Sequence, residues 1–295
     1  VTMNSLPPRE WMHLADGRAL AYTQWGDPNG APVFEFRGLP SSRMGDAVDL
    51  DVITAAGVRR ITVDRPGVGF SDPQAGRALL DWPDDVRVLA DHLGLERFPV
   101  LGTSGGGPFA AACGYALPDR VARAALVSTV GPPDRRGAFD GMNRGEAGTM
   151  ILARRAPVLA RWLVGAAVLA ERRRPGTVYR GLVKALPEVD RRVAAQPAVR
   201  ESLTDSFALA FRQGARGQVR DWAIIATPWG FDPADIRVPV HLYHGVLDDR
   251  APYHHARDLA ERLPDCGITG YPDEGHMLVF CHAEEILIAT ADKPG

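Results

Sequence analysis

Ser104 stands in Gly102-Thr103-Ser104-Gly105-Gly106, between the apolar run 98–101 and the small-residue run 108–112. An apolar strand that turns into a helix through such a segment presents the serine hydroxyl on a sharp bend. The bend brings the residues two before and two after the serine so close that a Cβ at either would clash, and Gly102 and Gly106 fill those two places. The serine is then held in a sparsely populated backbone conformation, a strain that functional sites retain. A hydroxyl is a weak nucleophile, so chemistry here requires a base to take its proton and a third group to orient that base.

Eight histidines are available. His276, in Asp273-Glu274-Gly275-His276-Met277, has the best setting: it follows the strand-like run 270–272 and precedes the helical pattern 283–289, on a loop that can swing over a serine at a sheet edge. His241 and His244 lie three apart on one expected strand and face opposite sides, and no zinc spacing emerges from the eight. The acid should come from the end of a neighbouring strand. The apolar run 238–245 leads into Gly245-Val246-Leu247-Asp248-Asp249, where Asp248 is the preferred candidate and Asp249 the alternative. Asp249 also suits an acidic first turn for the helix expected at 253–260.

These residues need a frame. At 295 residues and 45% hydrophobic content, the chain can bury a large core as one domain with an insertion, or as two domains. Asp16-Gly17 between extended runs at 10–15 and 18–25 signals a hairpin. Strands are then expected at 32–37, 60–64, 98–103 and 124–130, with helical patterns at 44–56, 80–93 and 107–117 between them. This alternation argues for an α/β fold with a mostly parallel sheet and helices on both faces. It stops near Gly131-Pro132-Pro133 and resumes at Val238. The intervening hundred or so residues show helical patterns and no convincing strand. Arg154, Arg155, Pro157 and Arg161 interrupt the apolar stretch 151–164, so it is not an uninterrupted membrane span.

A net charge of −2 predicts no steering toward nucleic acid or membrane. The polar, proline-rich segment 4–10 offers no secretory signal, and three cysteines without metal spacing (Cys113, Cys266, Cys281) read as reduced thiols in a cytoplasmic protein. A small-molecule substrate is expected, with no cofactor and no metal, while oligomeric state is left open.

Ser104, Asp248 and His276 follow one another in an order associated with one fold among those that carry such triads. Together with Asp64-Arg65-Pro66-Gly67-Val68-Gly69-Phe70-Ser71-Asp72, the acid loop 245–252 and Gly275-His276, that order makes the chain resemble the α/β-hydrolase family over nearly its whole length. The resemblance implies a core from 1–132 and 237–295 and an inserted helical cap at 133–236. It further implies acyl transfer through Ser104, with an ester as the expected substrate bond and an amide, thioester or lactone also compatible. The alternatives are carbon–carbon cleavage or cyclisation on the same residues, and a ligand-binding relative without turnover. The serine sets the chain apart from the aspartate-nucleophile epoxide hydrolases and haloalkane dehalogenases. Gly105 departs from the Trp of proline iminopeptidases.

One oxyanion donor is expected from the N–H of Gly105, after the nucleophile; by resemblance the second is Leu39 in Phe36-Arg37-Gly38-Leu39-Pro40. Arg37 replaces the family's usual histidine. It shares a strand face with Glu35, so it either braces the loop as an ion pair or binds an acidic substrate group. Trp162 and Trp229 are candidate pocket residues in the insertion, set against the plainer expectation that its aromatic residues form its own core.

Overall fold

The computed structural model describes residues 10–44 and 48–291. The expected N-terminal segment 4–9 and part of the helix expected at 44–56 therefore lie outside the described residues. Among the described residues, eight strands form one sheet: β1 (Glu10–His13), β2 (Ala19–Gly26), β3 (Ala31–Phe36), β4 (Val58–Val63), β5 (Phe98–Thr103), β6 (Val121–Val127), β7 (Val240–Gly245) and β8 (Cys266–Tyr271). Their spatial order is β1-β2-β4-β3-β5-β6-β7-β8. The first hairpin joins antiparallel, and β4, β3, β5, β6, β7 and β8 run parallel.

Side chains alternate across each strand, so one strand serves two cores. Phe34, Phe98 and Val100 point toward α2 (Trp82–His92), α3 (Gly107–Ala116) and α10 (His254–Arg262). Val33, Leu101 and Val127 point the other way, toward α1 (Leu50–Ala55) and α11 (Val279–Ala291). The two-faced α/β architecture follows from that alternation.

Strand order reverses between β4 and β5 on either side of β3, which opens a crevice at the carboxyl ends of the parallel strands. All the candidate chemistry emerges there: residues 37–40 after β3, Ser104 after β5, Asp248 after β7 and His276 after β8. Between β6 and β7 lie six helices: α4 (Arg144–Arg155), α5 (Pro157–Arg173), α6 (Thr177–Ala185), α7 (Glu188–Ala194), α8 (Pro197–Ala210) and α9 (Arg216–Ile225). Proline opens α5 and α8 at a position where its missing N–H costs nothing. No helix among the described residues is long and apolar enough to cross a membrane.

Candidate active site

The bend after β5 has the geometry its glycines predict. Ser104 adopts φ of +55°, in the left-handed region. A Cβ on Gly102 would come within 2.6 Å of the Gly106 carbonyl oxygen, and one on Gly106 within 2.0 Å of the Phe36 carbonyl oxygen. Either substitution would push β3 or α3 away from the serine.

Ser104 Oγ lies 3.0 Å from His276 Nε2, and His276 Nδ1 lies 2.8 Å from Asp248 Oδ2. The carboxylate is fixed in turn, since its Oδ1 accepts from the backbone N–H groups of Arg250 and Ala251, both at 2.8 Å. His244 stands 3.4 Å from Oδ2. Asp249 does not take this place: its carbonyl accepts from the Asn143 N–H at the start of α4, and α10 begins without a side-chain cap. Of the two acids open to the sequence, the structure joins Asp248 to His276.

Burial pushes the Asp248 carboxyl up, but His276 and His244 prevail and hold it well below the usual carboxylate range. Burial pulls His276 down, and the adjacent Asp248 charge outweighs it, so the imidazole titrates above its ordinary value. The acid therefore stays ionised while the base takes up a proton readily.

The two residues expected to supply oxyanion donors, Gly105 and Leu39, lie side by side. Gly105 begins the turn into α3, where the first N–H groups of a helix have no partner within it. Leu39 sits directly against it, since a Cβ on Gly105 would meet Leu39 Cγ at 2.8 Å. Gly38 passes so close that its Cβ would lie 3.1 Å from Ser104 Cβ. Arg65 holds this loop from behind, donating to the carbonyl of Arg37 at 2.7 Å and that of Gly38 at 3.2 Å. The Gly38–Leu39 peptide is trans, so fixing its C=O on Arg65 turns its N–H the opposite way. Arg65 is itself held by Asp221 of α9 at 2.8 Å, and Arg77 takes the other carboxylate oxygen at 2.5 Å. All three side chains are buried.

Arg37 is buried and paired: its Nη1 lies 3.0 Å from Glu35 Oε1, while Arg60 Nε holds Glu35 Oε2 at 2.5 Å. The ion pair expected from the shared strand face is present, and it braces the root of the residue 37–40 loop.

A second carboxylate reaches down from the insertion. Asp190 of α7 accepts from the backbone N–H of His276 at 3.0 Å and of Met277 at 2.8 Å. Gly275 allows this approach, because a Cβ there would lie 2.4 Å from Asp190 Oδ1. Sequence reasoning missed Asp190, Asp221 and the role of Arg65. An acidic residue on the apolar side of a helix is the signal that could have marked the two aspartates.

Above Ser104 and His276 a cavity of about 410 Å³ opens between core and insertion. Its floor includes Leu39, Ser104 and His276, and its walls are largely apolar, with Val168, Leu182, Leu203 and Phe207 from the insertion. Neither tryptophan candidate lines it. Trp162 is 75% exposed on the outer side of α5. Trp229 is buried against Phe231, with ring centroids 5.6 Å apart, and borders a different cavity. Residue type does not say what either side chain packs against: Trp162 lies on the outward face of α5, and Trp229 lies beyond the end of α9, outside any helix. Among the described residues, no three metal-ligating side chains converge.

Comparison with known proteins bears on the family and the fold. The sequence model of the alpha/beta hydrolase fold family matches residues 38–283. A non-heme chloroperoxidase of Streptomyces lividans is 37% identical over 120 residues, covering 40% of this chain and 44% of that protein. A pimeloyl-[acyl-carrier protein] methyl ester esterase of Aromatoleum aromaticum is 36% identical over 66 residues, 22% of this chain and 26% of that one. The chain thus matches less than half the length of either curated relative. Among solved structures, a bromoperoxidase from Bacillus anthracis superposes with a TM-score of 0.72 at 20% identity, over 96% of this chain and 98% of that one. At that identity the likeness shows the fold.

Proposed function

The chain belongs to the alpha/beta hydrolase fold family, and from that premise we propose a serine hydrolase that cleaves a small or medium-sized, mainly apolar carboxylic ester through an acyl-enzyme on Ser104. The observation that carries this reading is the continuous hydrogen-bonded chain Ser104–His276–Asp248, with links of 3.0 and 2.8 Å, at the mouth of an apolar cavity. Hydrolase membership comes from the family; the ester bond and the residue roles are our inference.

In this mechanism His276 Nε2 takes the Ser104 proton as Oγ attacks the carbonyl carbon. Asp248 holds the Nδ1–H and stabilises the imidazolium. Charge gathers on the carbonyl oxygen, where the N–H groups of Leu39 and Gly105 receive it. Arg65 keeps the first of these donors aimed by gripping the carbonyl at the far side of its peptide. His276 then returns the proton to the departing alkoxide, leaving Ser104 acylated. A water enters and the same steps run again, with Ser104 as leaving group. A lactone or thioester presents the same acyl carbon and fits the same steps.

The six-helix insertion acts here as a cap that shapes the acyl site, with 1–132 and 237–295 forming the core and 133–236 the cap. Arg37 stands where the family usually has histidine, and its pairing with Glu35 favours the bracing role over binding an acidic substrate group. Three free cysteines suit a cytoplasmic setting.

Pre-steady-state hydrolysis of p-nitrophenyl acetate, butyrate and octanoate tests the proposal. A burst of p-nitrophenolate equal to the enzyme concentration, abolished in Ser104→Ala, is expected. Steady turnover that survives Ser104→Ala would contradict it.

A further inference from the structure

Helix α5 is apolar on both sides. Ala160, Val164 and Val168, spaced four apart, turn inward onto the core and the cavity wall. The opposite side carries Val158, Leu159, Trp162, Leu163, Ala166, Leu169 and Ala170, all exposed. Its large residues leave 47–75% of their surface uncovered, and they account for five of the eleven large exposed hydrophobic side chains among the described residues. A helix that is apolar all round is normally buried, so this face is built to be covered.

The charge around the face selects what covers it. Arg154, Arg155 and Arg161 flank its start and Arg172, Arg173 and Arg174 its end. Glu171 is the sole acid between residues 150 and 174, and it is occupied capping the Gly176 and Val178 N–H groups at 2.6 and 2.7 Å. None of the six arginines pairs with a carboxylate among the described residues; Arg154 and Arg172 donate to the carbonyls of Ala226 and Phe211. A second copy packed about a two-fold axis would set the arginines at one end of α5 against those at the other end of its partner, positive on positive. An anionic lipid surface meets both demands: headgroups for the arginines at either end, and acyl chains for the Trp and Leu side chains between them. With 17 residues, α5 spans about 25 Å and lies along such a surface rather than through it. The whole-chain charge of −2, which predicts no attraction to membranes, conceals this local excess.

We propose that the outer face of α5 docks the protein on an anionic lipid surface. The cavity opens beneath the same helix, with Val168 and Arg172 on its wall, so docking would bring apolar molecules dissolved in the lipid to its mouth. The docking proposal does not depend on the chemistry at Ser104.

Flotation with phosphatidylcholine vesicles, with and without phosphatidylglycerol, tests it, alongside the mass in solution from sedimentation equilibrium. The expected result is a monomer that floats with phosphatidylglycerol vesicles and binds pure phosphatidylcholine roughly tenfold or more weakly, with binding reduced by salt. Leu159→Glu with Leu163→Glu should abolish flotation without lowering the melting temperature, since both side chains face outward. Arg155→Glu with Arg161→Glu should weaken flotation without that apolar loss. Three outcomes would overturn the proposal: no binding to either vesicle, flotation that survives Leu159→Glu with Leu163→Glu, or a dimer that this double variant dissociates, which would make the face a contact between copies.

Discussion

The carboxyl ends of the strands and the helical insertion above them are made from similar residues and behave in opposite ways. Around Ser104, the charged groups of the frame are tied by named partners. Asp248 is held by two backbone N–H groups, Glu35 by two arginines, and Gly102 and Gly106 leave no room for a side chain. In the insertion, α5 turns Trp162 and four further large apolar side chains outward. Yet two carboxylates cross the boundary, with Asp190 gripping the histidine loop and Asp221 gripping the arginine behind the residue 37–40 loop. Shape and exposure vary in the insertion, while the contacts it makes with the chemical frame are as buried as the frame itself.

The steepest test of this contrast lies in the frame. Ser104→Ala and His276→Ala should each lower ester turnover on the order of 10⁴- to 10⁶-fold, nearly equally because the two act as a unit, with circular dichroism unchanged. Next, Asp248→Asn should cost roughly 10⁴-fold by favouring the wrong imidazole tautomer, and Asp249→Asn far less. The pH profile supplies the sign. His276 must be neutral to act as base and its pKa is raised chiefly by Asp248, against the effect of burial, so kcat/KM should fall on acidification through a limb above the ordinary imidazole value of about 6.5. Residual activity of Asp248→Asn should show that limb displaced to lower pH. An unmoved limb would separate Asp248 from the base.

The contacts across the boundary come next. Arg65→Gln should lower kcat roughly 10- to 100-fold with KM little changed, because it frees the Leu39 N–H, the proposed oxyanion donor, which would matter mainly in the transition state. Arg77→Gln shares the same Asp221 but touches Pro66 instead of the oxyanion loop, so it should destabilise the fold while sparing kcat. Equal kcat losses in both variants would reduce Arg65 to a structural residue. Arg37→Ala should lower the melting temperature by a loss at or below the roughly 3–5 kcal/mol of a broken buried pair, since Glu35 keeps Arg60. Its effect on neutral and acidic esters should be alike. The smallest change belongs to the cavity wall, where Phe207→Ala should shift the preference between butyrate and octanoate esters by a few-fold, with the intrinsic chemistry intact. A uniform loss on both esters would point to folding.

How far the sequence could be read follows the same boundary. Ser104, its two glycines and His276 were legible because a strand-to-helix bend admits few residue types, and those types stand out in one dimension. Asp248 could be narrowed to two neighbours, but choosing between them needed the loop geometry that sends Asp249 toward Asn143. The strand alternation gave the sheet. The helix expected at 44–56 is only six residues long, from Leu50 to Ala55, within the part described. Asp190 and Asp221 could be marked only as acids on the apolar side of a helix; what they hold was not legible, because backbone N–H groups and a buried arginine 86 and 156 positions away carry no motif that points back to them. Trp162 and Trp229 illustrate the same limit: an aromatic residue type is compatible with a cavity wall or with packing elsewhere, and only the fold shows Trp162 exposed on α5 and Trp229 packed on Phe231.

The central claim is that Ser104 becomes covalently acylated with His276 as its base. Reaction with a fluorophosphonate, followed by intact-mass and peptide mass spectrometry, tests it directly. The account predicts one adduct per chain, located on the peptide containing Ser104, absent in Ser104→Ala and formed far more slowly in His276→Ala. An adduct on another residue, or labelling of Ser104 at an undiminished rate in His276→Ala, would contradict it.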